Sequence, residues 1–172
     1  MRGRLRSFVK SRVGTKHHFF YPVSVQRAAS IKMTWAKDRL DALKAGAALP
    51  PVVQTLGLGS LEDWGDGWVK KRWEPKPELL NSDGSMFGGY IAALADQAIA
   101  FAAMTVVPAD RIFRTVNLQI QFLRLGRAHD LLIEARIIAQ TRQLISCRAE
   151  FRREDGELIA EATGQQLVAP PQ

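Results

Sequence analysis

The chain has 172 residues, 47% of them apolar, which is enough for one domain with a good core. A single cysteine, Cys147, excludes an internal disulfide framework and cysteine-based metal sites; His17, His18 and His129 lack metal-ligand spacing, so no metal or prosthetic group is expected. The net charge of +7 belongs to one end: residues 1–32 hold eight Lys/Arg and no Asp/Glu, leaving 16 basic against 17 acidic residues elsewhere.

That basic arm, residues 1–32, is expected to be poorly ordered. Its composition suits nucleic acid, an anionic membrane or import into an organelle, and it lacks the long apolar core of a secretory signal. The reading carried forward is that Met33 is the natural start, which implies a cytoplasmic protein with no nucleic-acid partner. Residues 33–50 then form an N-terminal amphipathic helix at the domain's edge. Thr34 is its N-cap, Ala36, Leu40, Leu43 and Ala47 share one face, and Gly46 and Pro50-Pro51 end it.

Residues 51–172 make up the main domain. Strands are expected near Leu56 to Glu62 and Gly67 to Trp73, joined by a W-G-D-G turn, with Trp68 and Trp73 as core or interface anchors. A Pro-containing loop leads to Asn81. From Met86 to Val107 only Asp96, Gln97 and Thr105 are polar, so an Ala-rich helix of ~20 residues and ~30 Å is expected, buried on every side. A membrane span is disfavoured by Asp96 near its middle and by the absence of a second apolar run. A buried Asp96 is either a structural carboxylate bonded to its neighbours or a catalytic one.

Beyond Pro108 the pattern is a meander. Val116, Leu118, Ile120 and Phe122 alternate with Thr115, Asn117, Gln119 and Gln121, a clear period of two. Leu131 to Gln140 and Gln143 to Arg153 alternate likewise, Asp155-Gly156 is a hairpin turn, and Leu158 to Val168 is the last strand. Cys147 falls among core positions. One long helix with strands on both sides of it in sequence predicts an α+β domain, a sheet covered by that helix.

The set Asn81, Gly84, Phe87, Gly88, Gly89 and Asp96 resembles the signature N-x-x-G-x-x-H-G-G, with Asp nine positions after the His, of hotdog-fold acyl-CoA thioesterases of the phenylacetate-degradation (PaaI) type. Every position matches except the His, where Phe87 stands. The resemblance runs from about residue 55 to residue 169 and leaves out the arm. It implies an antiparallel sheet wrapped around one long central helix, and hydrolysis of an acyl-CoA or aryl-CoA thioester without a cofactor. It also implies roles: Gly88 as oxyanion donor, Asn81 as carbonyl ligand, Thr115 as the residue that orients water, and Asp96 as general base or nucleophile. Family members of this kind are homodimers that often pair into tetramers.

Chemistry and geometry bear on this expectation independently. Glycines opening a helix let a carbonyl oxygen approach uncapped N–H groups and the positive end of the dipole. Gly88 and Asp96 lie eight residues apart, ~12 Å along one helix, so both can serve one carbonyl only if they come from different subunits. Phe87 cannot assist a leaving sulfur as a His would. Either the thiolate leaves unaided, its conjugate acid having a pKa of ~8.5, or the domain binds acyl-CoA without cleaving it. Phe87, Gly89 and Tyr90 are expected to line the acyl pocket, and Arg124, Arg127 and Arg142 to meet the CoA phosphates.

Overall fold

The computed structural model describes residues 38–47, 49–127 and 131–171. The basic arm and the start of the first helix, including Thr34 and Ala36, lie outside the described residues. Helix α1 occupies 38–44 and turns Leu40 and Leu43 into the core. It is pinned to the sheet by polar contacts: Trp64 Nε1 donates to Asp41 Oδ1 at 3.0 Å, and Lys44 pairs with Asp63 at 3.0 Å.

The strand expected near Leu56 to Glu62 is absent. That stretch is a turn and loop running on from a short helix, α2 (Pro51–Thr55). The cause is local. Pro51 sits at the helix start, where a missing N–H is harmless, and Gly57 and Gly59 adopt φ of 60° and 69°, which an extended strand cannot contain. Strands β1 (Asp63–Gly65) and β2 (Trp68–Trp73) follow as a hairpin turning at Asp66-Gly67. Trp73 is buried, whereas Trp68 is only half-buried.

Helix α3 spans Gly88–Met104, 17 residues. Strands β3 (Ile112–Phe122), β4 (Leu131–Gln140), β5 (Leu144–Arg152) and β6 (Leu158–Ala169) complete one antiparallel sheet in the order β1-β2-β4-β5-β6-β3. The inward sets Ile145, Cys147, Ala149, Phe151 on β5 and Ala160, Ala162, Gly164 on β6 clasp α3. Small residues on β6 let the helix come close: a Cβ on Gly164 would lie 3.1 Å from Ile99 Cδ1 and 3.2 Å from the Asn117 carbonyl oxygen. This is the hotdog arrangement, a curled sheet around one helix. Among the described residues no helix is long and apolar enough to cross a membrane.

Two expectations about α3 need correction. The helix is not buried all round. Gly89, Ala92, Ala93, Asp96 and Ala100 form a stripe that stays at least partly open, while Leu94, Ala95, Ala98, Ile99 and Ala102 are buried. The polar side chain that the helix buries is Gln97, and Asp96 is exposed on the open stripe.

The second surprise is in β3. Thr115 pairs with Gln166 and Asn117 with Gln165, so Val116 is an extra residue, a β-bulge. The side-chain alternation changes phase there. Phe113 and Thr115 face the helix before the bulge, Leu118 and Ile120 after it, and Val116 is turned outward at 55% exposure. A strict period of two would have left Thr115 on the far face.

Candidate active site

The loop before α3 is a small, well-bonded knot. Asn81 N donates to Ser85 O at 2.7 Å, Gly84 N to Asn81 O at 2.9 Å, and Met86 N to Gly126 O at 2.8 Å. Asp83 accepts from the Ser85 hydroxyl at 2.6 Å and from the Ser85 amide at 2.9 Å; those bonds, the hydroxyl's first, hold its carboxyl below the usual carboxylate range. The Asn81 side-chain amide is engaged in the same knot, donating to Ser85 Oγ at 3.0 Å and Met86 O at 3.3 Å. Within one chain Asn81 therefore shapes the loop that presents the helix start.

That helix start is open to a ligand. Phe87 is the N-cap residue and makes no capping hydrogen bond, and the amides of Tyr90 and Ile91 close the first turn onto its carbonyl. The amides of Gly88 and Gly89 precede the intrahelical ladder. Two exposed aromatic rings lean on these glycines. A Cβ on Gly88 would meet Phe122 Cζ at 3.2 Å, and one on Gly89 would collide with the Phe87 ring at 2.5 Å. Phe87 is 57% exposed and Phe122 56%, so both present apolar surface beside the two amides. Tyr90 lies one turn on, stacked on Trp73 with ring centroids 5.2 Å apart. Its hydroxyl is buried with no hydrogen-bond partner, and burial, with a smaller contribution from Glu78, raises its pKa.

Two turns along the helix, Asp96 Oδ1 accepts a 2.6 Å hydrogen bond from the Thr115 hydroxyl. Thr115 Oγ1 in turn accepts from Gln166 Nε2 at 2.8 Å. The bulge at Val116 makes this possible by turning Thr115 to the helix side. The arrangement is an exposed carboxylate held at one oxygen, with its second oxygen open to bond or deprotonate water.

Residues 83–160 match the model of the thioesterase superfamily. The fold is that of a hotdog domain, and this stretch of it is similar to that superfamily. A phenylacetic acid degradation-related protein of Ralstonia eutropha is 26% identical, with a TM-score of 0.67 over 74% of this chain and 98% of its own. A thioesterase family protein of Silicibacter pomeroyi shares 21% identity, with a TM-score of 0.69 over 79% of this chain and 99% of its own. A Streptococcus mutans protein whose structure holds acetyl CoA shares 23% identity, with a TM-score of 0.60 over 65% of this chain and 89% of its own. No curated protein sequence matches the chain.

The domain does not gather the three expected phosphate-binding arginines within one chain. Arg124 is engaged with Glu157 at 2.9 Å and with the Leu158 carbonyl at 2.8 Å. Arg127 bridges Ser85 and lowers the pKa of Asp83, so it does stand beside the Gly88 loop. Arg142 lies at the other end of α3, ~25 Å from Gly88 along the axis. There it lines a cavity of about 400 Å³ with Val107, Pro108 and Arg111. Among the described residues no cluster of His, Cys, Asp or Glu could hold a metal ion.

Sequence reasoning missed three residues of this domain. Phe122 closes over Gly88 but reads in sequence as the last apolar residue of a strand. Gln166 is 0% exposed and reads as one of two adjacent glutamines on a half-polar strand. Lys71 is 1% exposed and donates to the Leu58 carbonyl at 2.6 Å and to Gln97 Oε1. With Trp73 Nε1 on Gly57 O and Gln97 Nε2 on Gly59 O, three successive carbonyls of the loop are tied by side chains to β2 and α3. The available signal was a lysine in phase with Val69 and Trp73 on an otherwise apolar face.

Proposed function

We propose that the chain hydrolyses an acyl-CoA or aryl-CoA thioester to a free acid and CoA, working as a homodimer or as a tetramer of two such dimers. The observation that carries this reading is the exposed Asp96 carboxylate, held by Thr115 on a helix stripe that is otherwise glycine and alanine. The superfamily match and the pattern Asn81, Gly84, Gly88, Gly89 support it. Asp96 takes a proton from water as the water oxygen bonds to the thioester carbonyl carbon, or its own oxygen attacks that carbon to give an anhydride that water then opens. In either route negative charge gathers on the carbonyl oxygen, where the Gly88 amide at a helix N-terminus stabilises it. The C–S bond breaks, the thiolate departs, and the proton taken up ends on the released products.

Eight residues separate Gly88 from Asp96, so the reading requires Gly88 of one subunit to face Asp96 of another. Two features of the protomer favour such pairing. The open stripe on α3 has small side chains, and β3 is an unpaired 11-residue edge bearing exposed Val116 and Phe122, followed by exposed Leu123 and Leu125. Phe87, Gly89, Phe122 and Tyr90 then border the acyl group, and Arg127 is the nearest basic residue to the loop.

The test is thiol release from a panel of medium-chain, phenylacetyl and benzoyl CoA thioesters. Wild-type protein is expected to release thiol, and Asp96→Asn to lower kcat by ~100-fold or more. A second reading rests on Phe87, which replaces a group able to protonate sulfur: the domain binds acyl-CoA without cleaving it. A raised Tm with no thiol from any member of the panel, and none from Phe87→His, would establish that reading in place of the first.

A further inference from the structure

The hydroxyl of Thr115 has one hydrogen and two polar neighbours. It lies 2.6 Å from Asp96 Oδ1, 2.8 Å from Gln166 Nε2 and 3.2 Å from Gln166 Oε1, so Asp96 is the nearest acceptor and Nε2 the nearest donor. A carboxylate only accepts hydrogen bonds, and an amide nitrogen only donates them. With Nε2 of Gln166 directed at Thr115, the hydroxyl must accept from Gln166 and give its hydrogen to Asp96. The order is then fixed: Gln166 N–H to Thr115 oxygen, Thr115 O–H to Asp96. Gln166 Oε1, at 3.2 Å, is the more distant acceptor for that hydrogen, and turning the amide over would make it the nearer rival of Asp96.

The surroundings explain why Gln166 is held there. It is fully buried, directly opposite Thr115 across β6 and β3, and preceded on the same face by Ala160, Ala162 and Gly164. A buried amide without a partner is unfavourable, so its place on this small-residue face has a polar reason. Among the described residues Asp96 makes no ion pair. Thr115 is the one side chain bonded to it, and Gln166 stands behind Thr115.

We propose that Gln166 is a positioning residue. It fixes the rotor of the Thr115 hydroxyl, so that Asp96 Oδ1 is permanently occupied and Asp96 Oδ2 is the oxygen that acts on water or carbonyl carbon. Gln166 touches neither substrate nor the reacting atoms. This deepens the thioesterase reading and rests on it for its catalytic consequence, though the rotor itself can be observed without turnover.

Four proteins test it: wild type, Gln166→Met, Thr115→Val, and the double variant. Both substitutions keep side-chain length or shape, and circular dichroism checks that each protein folds. On whichever CoA thioester of the panel the wild type cleaves, Gln166→Met is expected to lower kcat by ~10-fold or more while KM stays within about threefold. In the Thr115→Val background the same change is expected to have no further effect, because the hydroxyl it positions is gone. Three-bond NMR couplings from the Thr115 hydroxyl hydrogen to its Hβ and its methyl carbon, measured without substrate, are expected to show one rotamer in the wild type and averaging in Gln166→Met. An unchanged kcat, an undiminished effect in the Thr115→Val background, or an unchanged Thr115 rotamer overturns the proposal. If the wild type releases no thiol, the thioesterase reading fails by itself and the couplings alone decide the role of Gln166. Should Gln166→Met not fold, Gln166→Leu carries the same expectations.

Discussion

Lys71 is the residue whose environment has the plainest thermodynamic signature. Burial alone pushes its ammonium down to about 7 from an ordinary 10.5. The unfolded chain keeps the proton up to about 10.5, and the folded protein gives it up near 7. Unfolding between those values takes up a proton, so the fold gains stability as pH rises across the window. The gain is complete above 10.5 and absent below 7. Urea titrations from pH 7 to 10 should show ΔG of unfolding climbing by up to a few kcal/mol in the wild type. The climb should be missing in Lys71→Met. Cys147 is a quieter case: burial raises its thiol to about 12, which leaves it inert toward the reagents used to detect released CoA. Little of this was readable from the chain. A lysine in phase with Val69 and Trp73 was visible in sequence, but the carbonyls of Leu58 and Gly59 that justify burying Lys71 and Gln97 lie in a loop whose path no periodicity encodes.

Among the elements, the long helix and the four later strands were legible because their signals are strong: an unbroken Ala-rich run, and alternation bounded by Asp155-Gly156. The failures have specific causes. The expected strand from Leu56 gave way to a turn and loop after α2 because Pro51 and two left-handed glycines overrule a short apolar run. The placement of Asp96 was misjudged because an alanine stripe counts as apolar whether it faces a core or a neighbour. The bulge that turns Thr115 toward the helix adds one residue and leaves no mark in the alternation, so periodicity alone does not reveal it. Deleting Val116 tests the last point. The prediction is a folded protein by circular dichroism with Tm lowered by several degrees, roughly 1–2 kcal/mol. Thiol release should fall as far as in Thr115→Val, since Thr115 turns away from Asp96. Activity within twofold of wild type in the deletion would mean that the phase change does not matter for chemistry.

At the scale of the whole molecule, the protomer has one finished side and one unfinished one. On the finished side, Glu134, Glu150 and Glu161 alternate with Arg136, Arg148 and Arg152 across β4, β5 and β6, forming a lattice of ion pairs. These are surface contacts, each worth little alone and weakened by salt. On the unfinished side, β3 carries unsatisfied backbone groups and the exposed apolar residues Val116 and Phe122. Placing a charge there, as in Val116→Lys, is expected to shift sedimentation toward the single chain and to lower thiol release per chain by ~10-fold or more. Dimers that persist in Val116→Lys with full activity would place the pairing surface elsewhere.

The eight-residue interval between Gly88 and Asp96 carries one more consequence. On the proposed reading a lone chain holds half of two catalytic centres and none complete, which makes turnover a property of concentration. Diluted below the dissociation constant of the pair, the enzyme should fall silent with its fold intact, and adding back an inactive Asp96→Asn chain should revive it by lending its Gly88.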